Sequence, residues 1–277
     1  MIKNRALSFF ILFAVYCIST AACVFIFPLL KYDYWLNVFV LDVIATVIVF
    51  IFSLIFRNAS VYDPYWSVQP IVILAFSMCF HKFNLLGILL CCAVFLWGIR
   101  LTANWAYTFK GLTHQDWRYT MLHEKTGFFY PVINFVGIHM VPTVIVFFCI
   151  LPAVEAIHCG ALFTPVSGLC ILLSVFAFTV QGIADVQMHS FKKNGGQGFI
   201  RNGLWKHSRH PNYLGEILMW WGIGLACFAA MPDKWYLLSG AFANTCLFLF
   251  VSIPLAENHQ ARKPGFEEYK KQTRVLI

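Results

Sequence analysis

The sequence has few charged residues: Asp, Glu, Lys and Arg together make up 12% of its 277 residues. That is about half the fraction found in ordinary soluble domains. Hydrophobic residues supply 60% of the chain and gather in apolar runs separated by short charged islands. The scarcity of charge excludes a soluble globular enzyme, and the apolar runs exclude a disordered chain, which would be polar and highly charged.

The sequence also lacks the patterns of metal and disulfide sites. Ten cysteines are present, but none form a CxxC pair, and nine of them lie inside apolar runs, where cysteine acts as a small core residue. No HExxH or HxxxH motif accompanies His189, His207, His210 and His259. We therefore predict neither a bound metal nor a disulfide framework.

Seven apolar runs are long enough to cross a bilayer. They cover residues 6–30, 36–56, 84–105, 128–154, 165–184, 212–232 and 235–256. An eighth run, 67–80, is short, and it crosses only if neighbouring segments cover its ends or if residues 63–70 enter the membrane as irregular backbone buried in protein. We predict an all-α transmembrane helix bundle of about eight spans, with seven as the alternative.

Basic residues are distributed unevenly between the predicted loops. With eight spans, 17 of the 20 Lys and Arg residues fall on the side of the N-terminus, and the exceptions are Lys31, Lys82 and Lys234. Such residues concentrate on the cytoplasmic side of membrane proteins, so both termini are predicted to be cytoplasmic. This orientation explains the net charge of +8, and we predict no nucleic-acid binding. No repeat or Pro/Ser-rich linker divides the chain, which we predict to be a single domain.

The stretch GLWKHSRHPNYLGEILMWWG, residues 203–222, joins a basic loop to a membrane span. Asn212 and Glu216 lie four residues apart and therefore share one face of the first helical turns, where unpaired amide groups favour an anion or a carbonyl oxygen. A carboxylate at this depth is costly unless it faces a partner or a wet cavity, so Glu216 is predicted to be a site residue. A buried pair with Arg209 or His210 is the structural alternative.

Polar residues also mark the end of the preceding long span. Asp185, His189 and Lys192 share one helical face in the segment ADVQMHSFKK. Arg209 offers a fork of donors suited to a phosphate, and Lys192 can add positive charge for a polyanionic ligand. These groups predict a pocket that is shared with the 203–222 stretch and faces the cytoplasm.

The N-terminal half contains a second set of candidates. In the segment VYDPYWSVQP, Asp63, Tyr65 and Gln69 lie where a span begins, and in RLTANW, Arg100 and Asn104 lie one turn apart. Asp63 or a tyrosine can protonate a substrate oxygen. Helix caps and interfacial aromatic anchors are the alternative explanation for these residues.

Taken together, these motifs resemble the membrane reductases related to steroid 5-alpha-reductase and to the sterol C14/C7 reductases. That superfamily has a C-terminal block with a basic loop, an R-x-P-N-Y-x-G-E/D segment entering a helix and an E-x-Y tail, and all three features occur here after residue 180 or so. A poorly characterised branch also carries D-x-x-W-S, R-L-x-x-N-W and D-W-R-Y motifs, which are present at 63–67, 100–105 and 116–119.

The resemblance implies NADPH-dependent reduction of a carbon–carbon double bond, conjugated to a carbonyl, in a hydrophobic sterol- or lipid-like substrate from the bilayer. The cofactor-binding candidates are Arg100, Asn104, Asp185, His189, Lys192, Arg209, His210, Asn212, Tyr213, Glu216 and Arg262. Asn212 and Glu216 match the positions beside the nicotinamide carboxamide in that superfamily. The glutamate and tyrosine that hold the steroid ketone in 5-alpha-reductases have no unambiguous match here. The candidates for the proton donor are Asp63, Tyr65, Gln69 and Tyr107.

Two other functions fit parts of this sequence. Isoprenylcysteine carboxyl methyltransferases share an R-H-P-x-Y-x-G stretch and use S-adenosylmethionine, but their final helix carries an adjacent Glu-Glu pair where this chain has Glu257 alone. A lipid-binding receptor or transporter predicts paired halves, which the sequence does not show. We therefore predict an enzyme integral to a bacterial inner membrane or the endoplasmic reticulum membrane, with membrane lipid and a hydrophobic substrate as partners.

Overall fold

The computed structural model describes residues 4–276, and helices make up most of them. In chain order the helices are α1 (Arg5–Ile26), α2 (Tyr34–Ile55), α3 (Tyr65–Phe80), α4 (Leu85–Thr108), α5 (Trp117–Thr126), α6 (Tyr130–Ile133), α7 (Val141–His158), α8 (Pro165–Lys193), α9 (Pro211–Ala230), α10 (Ser239–Leu247), α11 (Ile253–Gln260) and α12 (Phe266–Gln272). Within residues 4–276 no β-strand forms, and a single isolated backbone bridge joins Ser208 to Arg274.

Several helices continue into one another through short stretches of other helical types. The π-helical segment Asn134–Met140 joins α6 to α7, so one helical element runs from Trp117 to His158. A second π-helical segment, Phe248–Ser252, joins α10 to α11. Seven helical elements of the described chain are apolar and long enough to cross a membrane, which confirms the predicted all-α transmembrane bundle.

The predicted short run forms α3, a helix of 16 residues. At 1.5 Å per residue it is about 24 Å long, which is less than the roughly 30 Å hydrocarbon core. Neighbouring segments contact it near both ends: Tyr65 and Ser77 are buried, and the hydroxyl group of Tyr34 in α2 donates a hydrogen bond to Ser77, whereas the last residue, Phe80, is exposed. Residues 65–70 are helical rather than irregular, and Tyr65, Ser67 and Pro70 are buried.

The two termini of the described chain lie at the same end of the bundle. Arg5, at the start of α1, donates a hydrogen bond to the carbonyl oxygen of Ala106 near the end of α4 (2.7 Å). A hydrogen bond between the side chains of Asn104 and His189 links the ends of α4 and α8. The C-terminal segment joins the start of α9, where the backbone N–H of Arg209 donates to the carbonyl of Arg274. We call this the basal end, and it is the end that the distribution of basic residues assigns to the cytoplasm.

Helix α8 runs to Lys193, beyond the predicted end of its span at residue 184. Two contacts hold the added turns in place. Asp185 forms an ion pair with Arg100 of α4, and the side chain of Gln187 accepts a hydrogen bond from the backbone N–H of Leu204. The polar segment after residue 184 is therefore helical, as the shared face of its polar residues requires.

Helices α8 and α9 pack with their backbones in contact. A Cβ atom on Gly215 would lie 2.6 Å from the carbonyl oxygen of Ala177, and one on Gly222 would lie 2.7 Å from that of Cys170. Only glycine permits so close an approach at these two positions. The close packing brings the polar residues at the end of α8 beside those at the start of α9.

Candidate functional site

Glu216 is buried in the bundle, and its carboxylate accepts three side-chain hydrogen bonds. Oε2 accepts from the indole N–H of Trp97 (2.9 Å) and from the amide of Gln181 (2.7 Å), and Oε1 accepts from the indole N–H of Trp220 (2.8 Å). The alternative pair with Arg209 or His210 does not form, because both of these side chains pair with another carboxylate. Glu216 is thus the centre of a buried hydrogen-bonded network.

This network continues from Glu216 toward the basal end. The guanidinium group of Arg100 donates to Gln181 Oε1 (2.6 Å) and forms an ion pair with Asp185 (2.7 Å). One turn further along both helices, His189 Nε2 of α8 lies 2.7 Å from Asn104 Oδ1 of α4. The structure therefore brings together five of the predicted cofactor residues, which are Arg100, Asn104, Asp185, His189 and Glu216.

Three polar side chains, one on each of α4, α8 and α9, lie toward the basal end from Glu216, and we call them the basal polar set. Asn212 lies one turn before Glu216 on α9, and its half-buried amide group makes no hydrogen bond within residues 4–276. The Nε of Arg100 is buried and has no partner there either. Lys192 is exposed at the end of α8. Each of these side chains therefore keeps at least one donor for a ligand with amide or anionic groups.

Arg209 and His210 lie in a different cluster, beside the C-terminal segment. Arg209 forms an ion pair with Glu257 (2.7 Å) and donates to the carbonyl oxygens of Lys270 and Thr273. His210 Nε2 lies 3.3 Å from the same carboxylate. Burial lowers the pKa of His210, and the hydrogen bond to Glu257 opposes that shift. The donors of Arg209 are already used to fasten the tail to α9, so its predicted phosphate contact would require this cluster to open.

Three further predicted residues lie outside the Glu216 network and the basal polar set. Tyr213 stacks on the ring of His210, and Arg262 is exposed after α11. Tyr107 is 65% exposed and packs its ring against His189 at the basal end. Because its hydroxyl group is not enclosed in the bundle, Tyr107 is not placed to protonate a substrate held among the helices.

Asp63 lies in the segment between α2 and α3, apart from the other proposed proton donors. Its carboxylate accepts a hydrogen bond from the hydroxyl group of Tyr119 in α5 (2.7 Å). Burial raises the pKa of Asp63 to about 6, and the neighbouring Tyr119 and Arg118 limit the rise. Asp63 therefore ties two connecting segments together, away from the cavity that contains Tyr65 and Gln69.

The raised pKa of Asp63 predicts a pH-dependent contribution to stability. The folded state holds the proton more tightly than the unfolded state, whose ordinary value is 3.8, so this stabilisation is fully present below about pH 4 and is lost as the pH rises through about 6. Asp63→Asn should therefore gain stability relative to the wild type over that window, by up to about 3 kcal/mol. Thermal unfolding in detergent at a series of pH values measures this, and parallel curves for the two proteins would contradict it.

Tyr65 and Gln69 line a buried polar cavity of about 10 Å³, which is about the size of one water molecule. The same cavity contains Asp42, which the sequence analysis missed. Asp42 is 3% exposed in the middle of α2, and its Oδ1 accepts a hydrogen bond from the hydroxyl group of Tyr65 (3.0 Å). The overlooked signal was a single acidic residue inside an apolar span, which is costly enough to indicate a site.

Two tryptophans separate this cavity from the network around Glu216. Trp66 lines the cavity, and its ring centroid lies 6.1 Å from that of Trp97, the residue that donates to Glu216. The basal polar set, the buried carboxylate of Glu216 and the cavity of Asp42 therefore follow one another through the bundle. Aromatic rings form the wall between the last two.

Residues 49–273 match the model of the family described as "Protein of unknown function (DUF1295)". Two curated relatives are similar over 96 residues: 3-oxo-5-alpha-steroid 4-dehydrogenase 1 of Macaca fascicularis is 33% identical, and that of Homo sapiens is 32% identical. Each match covers 34% of this chain and 34% of the relative, so the chain spans about a third of the length of the curated relatives it matches. No solved structure matches the chain. The similarity confirms the resemblance to steroid 5-alpha-reductases, and the chain belongs to the DUF1295 family.

Proposed function

We propose that this protein is a membrane reductase that uses NADPH to reduce a carbon–carbon double bond conjugated to a carbonyl in a steroid-like substrate. The observation that carries the proposal is the buried Asp42–Tyr65 pair, which two tryptophans separate from the Glu216 network and the basal polar set. The name of the two curated relatives, 3-oxo-5-alpha-steroid 4-dehydrogenase 1, supports a steroid-like substrate.

The basal polar set supplies groups that a dinucleotide needs. Asn212 offers an amide to the carboxamide, Arg100 offers its free Nε, and Lys192 adds positive charge for phosphates at the basal end. NADPH supplies the hydride when it is bound. Trp66 and Trp97 shield the reacting region from water, which strengthens the electrostatic interactions there.

The cavity supplies the proton. As the double bond of an enone is reduced, negative charge develops on the carbonyl oxygen, and a proton donor placed there lowers the barrier. Tyr65 and Asp42 form such a donor pair, and Gln69 on the same wall can orient the carbonyl group. Because the cavity is far smaller than a sterol, substrate binding requires the helices around Trp66 to separate, with entry from the bilayer.

Turnover by the protein reconstituted in lipid tests this function. Progesterone serves as the 3-oxo steroid probe, NADPH oxidation is followed by absorbance, and the reduced steroid is identified by mass spectrometry. We expect NADPH to bind and to be oxidised only when the steroid is present, with NADH far less effective. Binding of S-adenosylmethionine in place of NADPH would overturn the proposal in favour of a methyltransferase.

Asn212→Ala should weaken NADPH binding without destabilising the fold. The amide of Asn212 has no hydrogen bond to lose within the described chain, whereas a bound carboxamide would lose a partner, which corresponds to about a tenfold rise in Kd. Isothermal titration measures the affinity, and thermal unfolding measures the stability.

The matched control for Asn212 is an asparagine at another helix start. Asn84 begins α4 at the opposite end of the bundle, and its side chain accepts a hydrogen bond from the N–H of Gly87 (2.7 Å). Asn84→Ala should lower the melting temperature and leave the Kd for NADPH unchanged. An unchanged Kd in Asn212→Ala as well would show that Asn212 does not contact the cofactor.

A further inference from the structure

Four hydroxyl groups form a continuous chain that leads to Asp42. The hydroxyl of Tyr62 lies 2.8 Å from Thr143 Oγ1, which lies 3.0 Å from Thr46 Oγ1. Thr46 donates to the hydroxyl of Tyr65 (3.3 Å), and Tyr65 donates to the carboxylate of Asp42 (3.0 Å). All five side chains are buried. Either oxygen can donate in the contacts of Thr143 with Tyr62 and Thr46, and Thr46 Oγ1 also lies 2.9 Å from the backbone carbonyl oxygen of Asp42. When Thr46 donates to Tyr65, each hydroxyl group donates one hydrogen bond while accepting another, and the chain is directed from Tyr62 to Asp42.

Polar side chains continue from this chain toward the basal end along one face of the element that contains α6 and α7. They are Thr143, His139, Asn134 and Tyr130, separated by four, five and four residues. Residues four apart share a face of an α-helix. The step of five falls in the π-helical segment, where the hydrogen bonds span one residue more, so all four side chains stay on the same face.

Three atoms on this face are buried without a hydrogen-bond partner: His139 Nε2, Asn134 Oδ1 and the hydroxyl of Tyr130. They are three of the seven such side-chain atoms in the described residues, so these atoms concentrate on one face of one helical element. Buried polar atoms without a protein partner are normally satisfied by ordered water. Water bound along this face would extend the hydroxyl chain.

Both ends of this face have the contacts that such an extension needs. At the inner end, the ring of His139 lies 4.7 Å from the ring of Tyr62, the first residue of the hydroxyl chain. At the outer end, the ring of Tyr130 lies 4.6 Å from the ring of His123, which is exposed. The polar line therefore runs from Asp42 to the surface of the protein.

We propose that this line is a proton relay that reloads Asp42 from the basal end through Tyr62, Thr143, Thr46 and Tyr65. The proposal rests on the proposed function, in which Asp42 gives one proton to the substrate in each turnover. Tyr65 then passes its hydroxyl proton to Asp42, each hydroxyl is resupplied by the next, and Tyr62 takes one proton from a hydronium ion of the bulk water, which becomes neutral water. At every step one O–H bond breaks and one forms, so no charge remains on the chain.

The relay residues act through Asp42, so the test must separate proton transfer from a purely structural role in which their hydrogen bonds hold α2 against α7. Infrared spectroscopy of the protein in lipid makes this distinction. The C=O stretch of the Asp42 carboxylic acid, identified by its loss in Asp42→Asn, shifts when its hydrogen exchanges with deuterium from D2O. Thr143→Val keeps the side-chain shape and removes the central hydroxyl group. We expect it to slow this exchange about tenfold or more.

The chain offers a matched control and a rescue. Thr102→Val removes a similar hydroxyl contact between helices, with Ser67 (2.8 Å), outside the relay, and should leave the exchange rate unchanged. Thr46→Val should slow exchange, whereas Thr46→Ser, which keeps the hydroxyl group, should restore it. Wild-type exchange rates in Thr143→Val and Thr46→Val, or no acid band that depends on Asp42, would overturn the relay.

This experiment distinguishes failure of the relay from failure of the proposed function, because the exchange measurement needs neither substrate nor NADPH. If exchange is slow in Thr143→Val but the wild type does not reduce progesterone, the relay is supported and the proposed function is overturned. If the wild type reduces progesterone but exchange in Thr143→Val is unaltered, the proposed function is supported and the relay is overturned. If both hold, Thr143→Val should also lower kcat and raise the solvent deuterium isotope effect, with the KM for NADPH unchanged.

Discussion

Asp42→Asn is expected to lower kcat for progesterone reduction about 100-fold or more, with the Kd for NADPH changed by less than about twofold. The asparagine amide has nearly the shape of the carboxyl group and still offers an oxygen to the hydroxyl of Tyr65, so the cavity should keep its structure. It cannot give up a proton and regain it. Steady-state kinetics in lipid and isothermal titration with NADPH measure the two quantities separately.

A second aspartate in the same helix region serves as the control for Asp42. Asp33 is exposed immediately before α2, where its side chain makes no capping hydrogen bond. Asp33→Asn removes one negative charge without touching the cavity and should retain wild-type kcat. If Asp42→Asn kept more than about a tenth of the wild-type kcat, its carboxyl group would not be the proton donor, since general acid catalysis contributes more than this. Tyr65→Phe would then test the remaining donor.

Glu216→Leu is expected to destabilise the protein by about 3 kcal/mol or more, since it leaves three buried N–H donors without an acceptor. These donors are the indole groups of Trp97 and Trp220 and the amide of Gln181. Glu216→Gln keeps one oxygen acceptor and should lie between the wild type and the leucine variant. Unfolding of the detergent-purified proteins by a denaturing detergent measures the free energy, and thermal unfolding ranks the variants.

The control for Glu216 is an exposed glutamate. Glu124 lies on the exposed surface of α5, and Glu124→Leu should change the free energy of unfolding by less than about 0.5 kcal/mol. A melting temperature for Glu216→Leu equal to that of the wild type would contradict the structural role of the three hydrogen bonds. Because of this role, weaker NADPH binding in a Glu216 variant counts as evidence for a cofactor contact only when the variant is folded at the temperature of the assay.

The transmembrane bundle could be predicted from the sequence because apolar runs depend on neighbouring residues alone. The ends of the helices could not, because contacts distant in sequence fix them. The apolar run of α8 ends at residue 184, yet the helix continues to Lys193, where Asp185 pairs with Arg100 and Gln187 accepts a hydrogen bond from the backbone of Leu204. Similarly, the length of α3 could not show which segments pack against it, and one of them is α2, whose Tyr34 donates a hydrogen bond to Ser77.

The candidate site shows the same limit. Helical spacing placed Asp185 and His189 on one face, and both of them contact polar residues of α4. Spacing could not show that the carboxylate of Glu216 binds Trp97, which is 119 residues away and lies in an apolar run. Asp42 did carry a signal, since a single acidic residue inside an apolar span is costly, but its contact with Tyr65 in another helix could not be predicted from spacing. The role of a polar residue in an apolar run depends on the helix that packs against it.

The π-helical segment Asn134–Met140 has a consequence for how this protein can diverge in sequence. Deleting one residue there would leave a step of four between Asn134 and His139, which a regular α-helix places on one face, so Tyr130 and the residues before it would keep their direction relative to α7. Deleting one residue within α6 or α7 would instead rotate the residues before it by about 100°. A one-residue gap between positions 134 and 139 in an alignment would therefore be a neutral change of length. The same gap elsewhere in this helical element would mark homologues in which the polar face no longer reaches the acid, and whose chemistry must obtain its proton in another way.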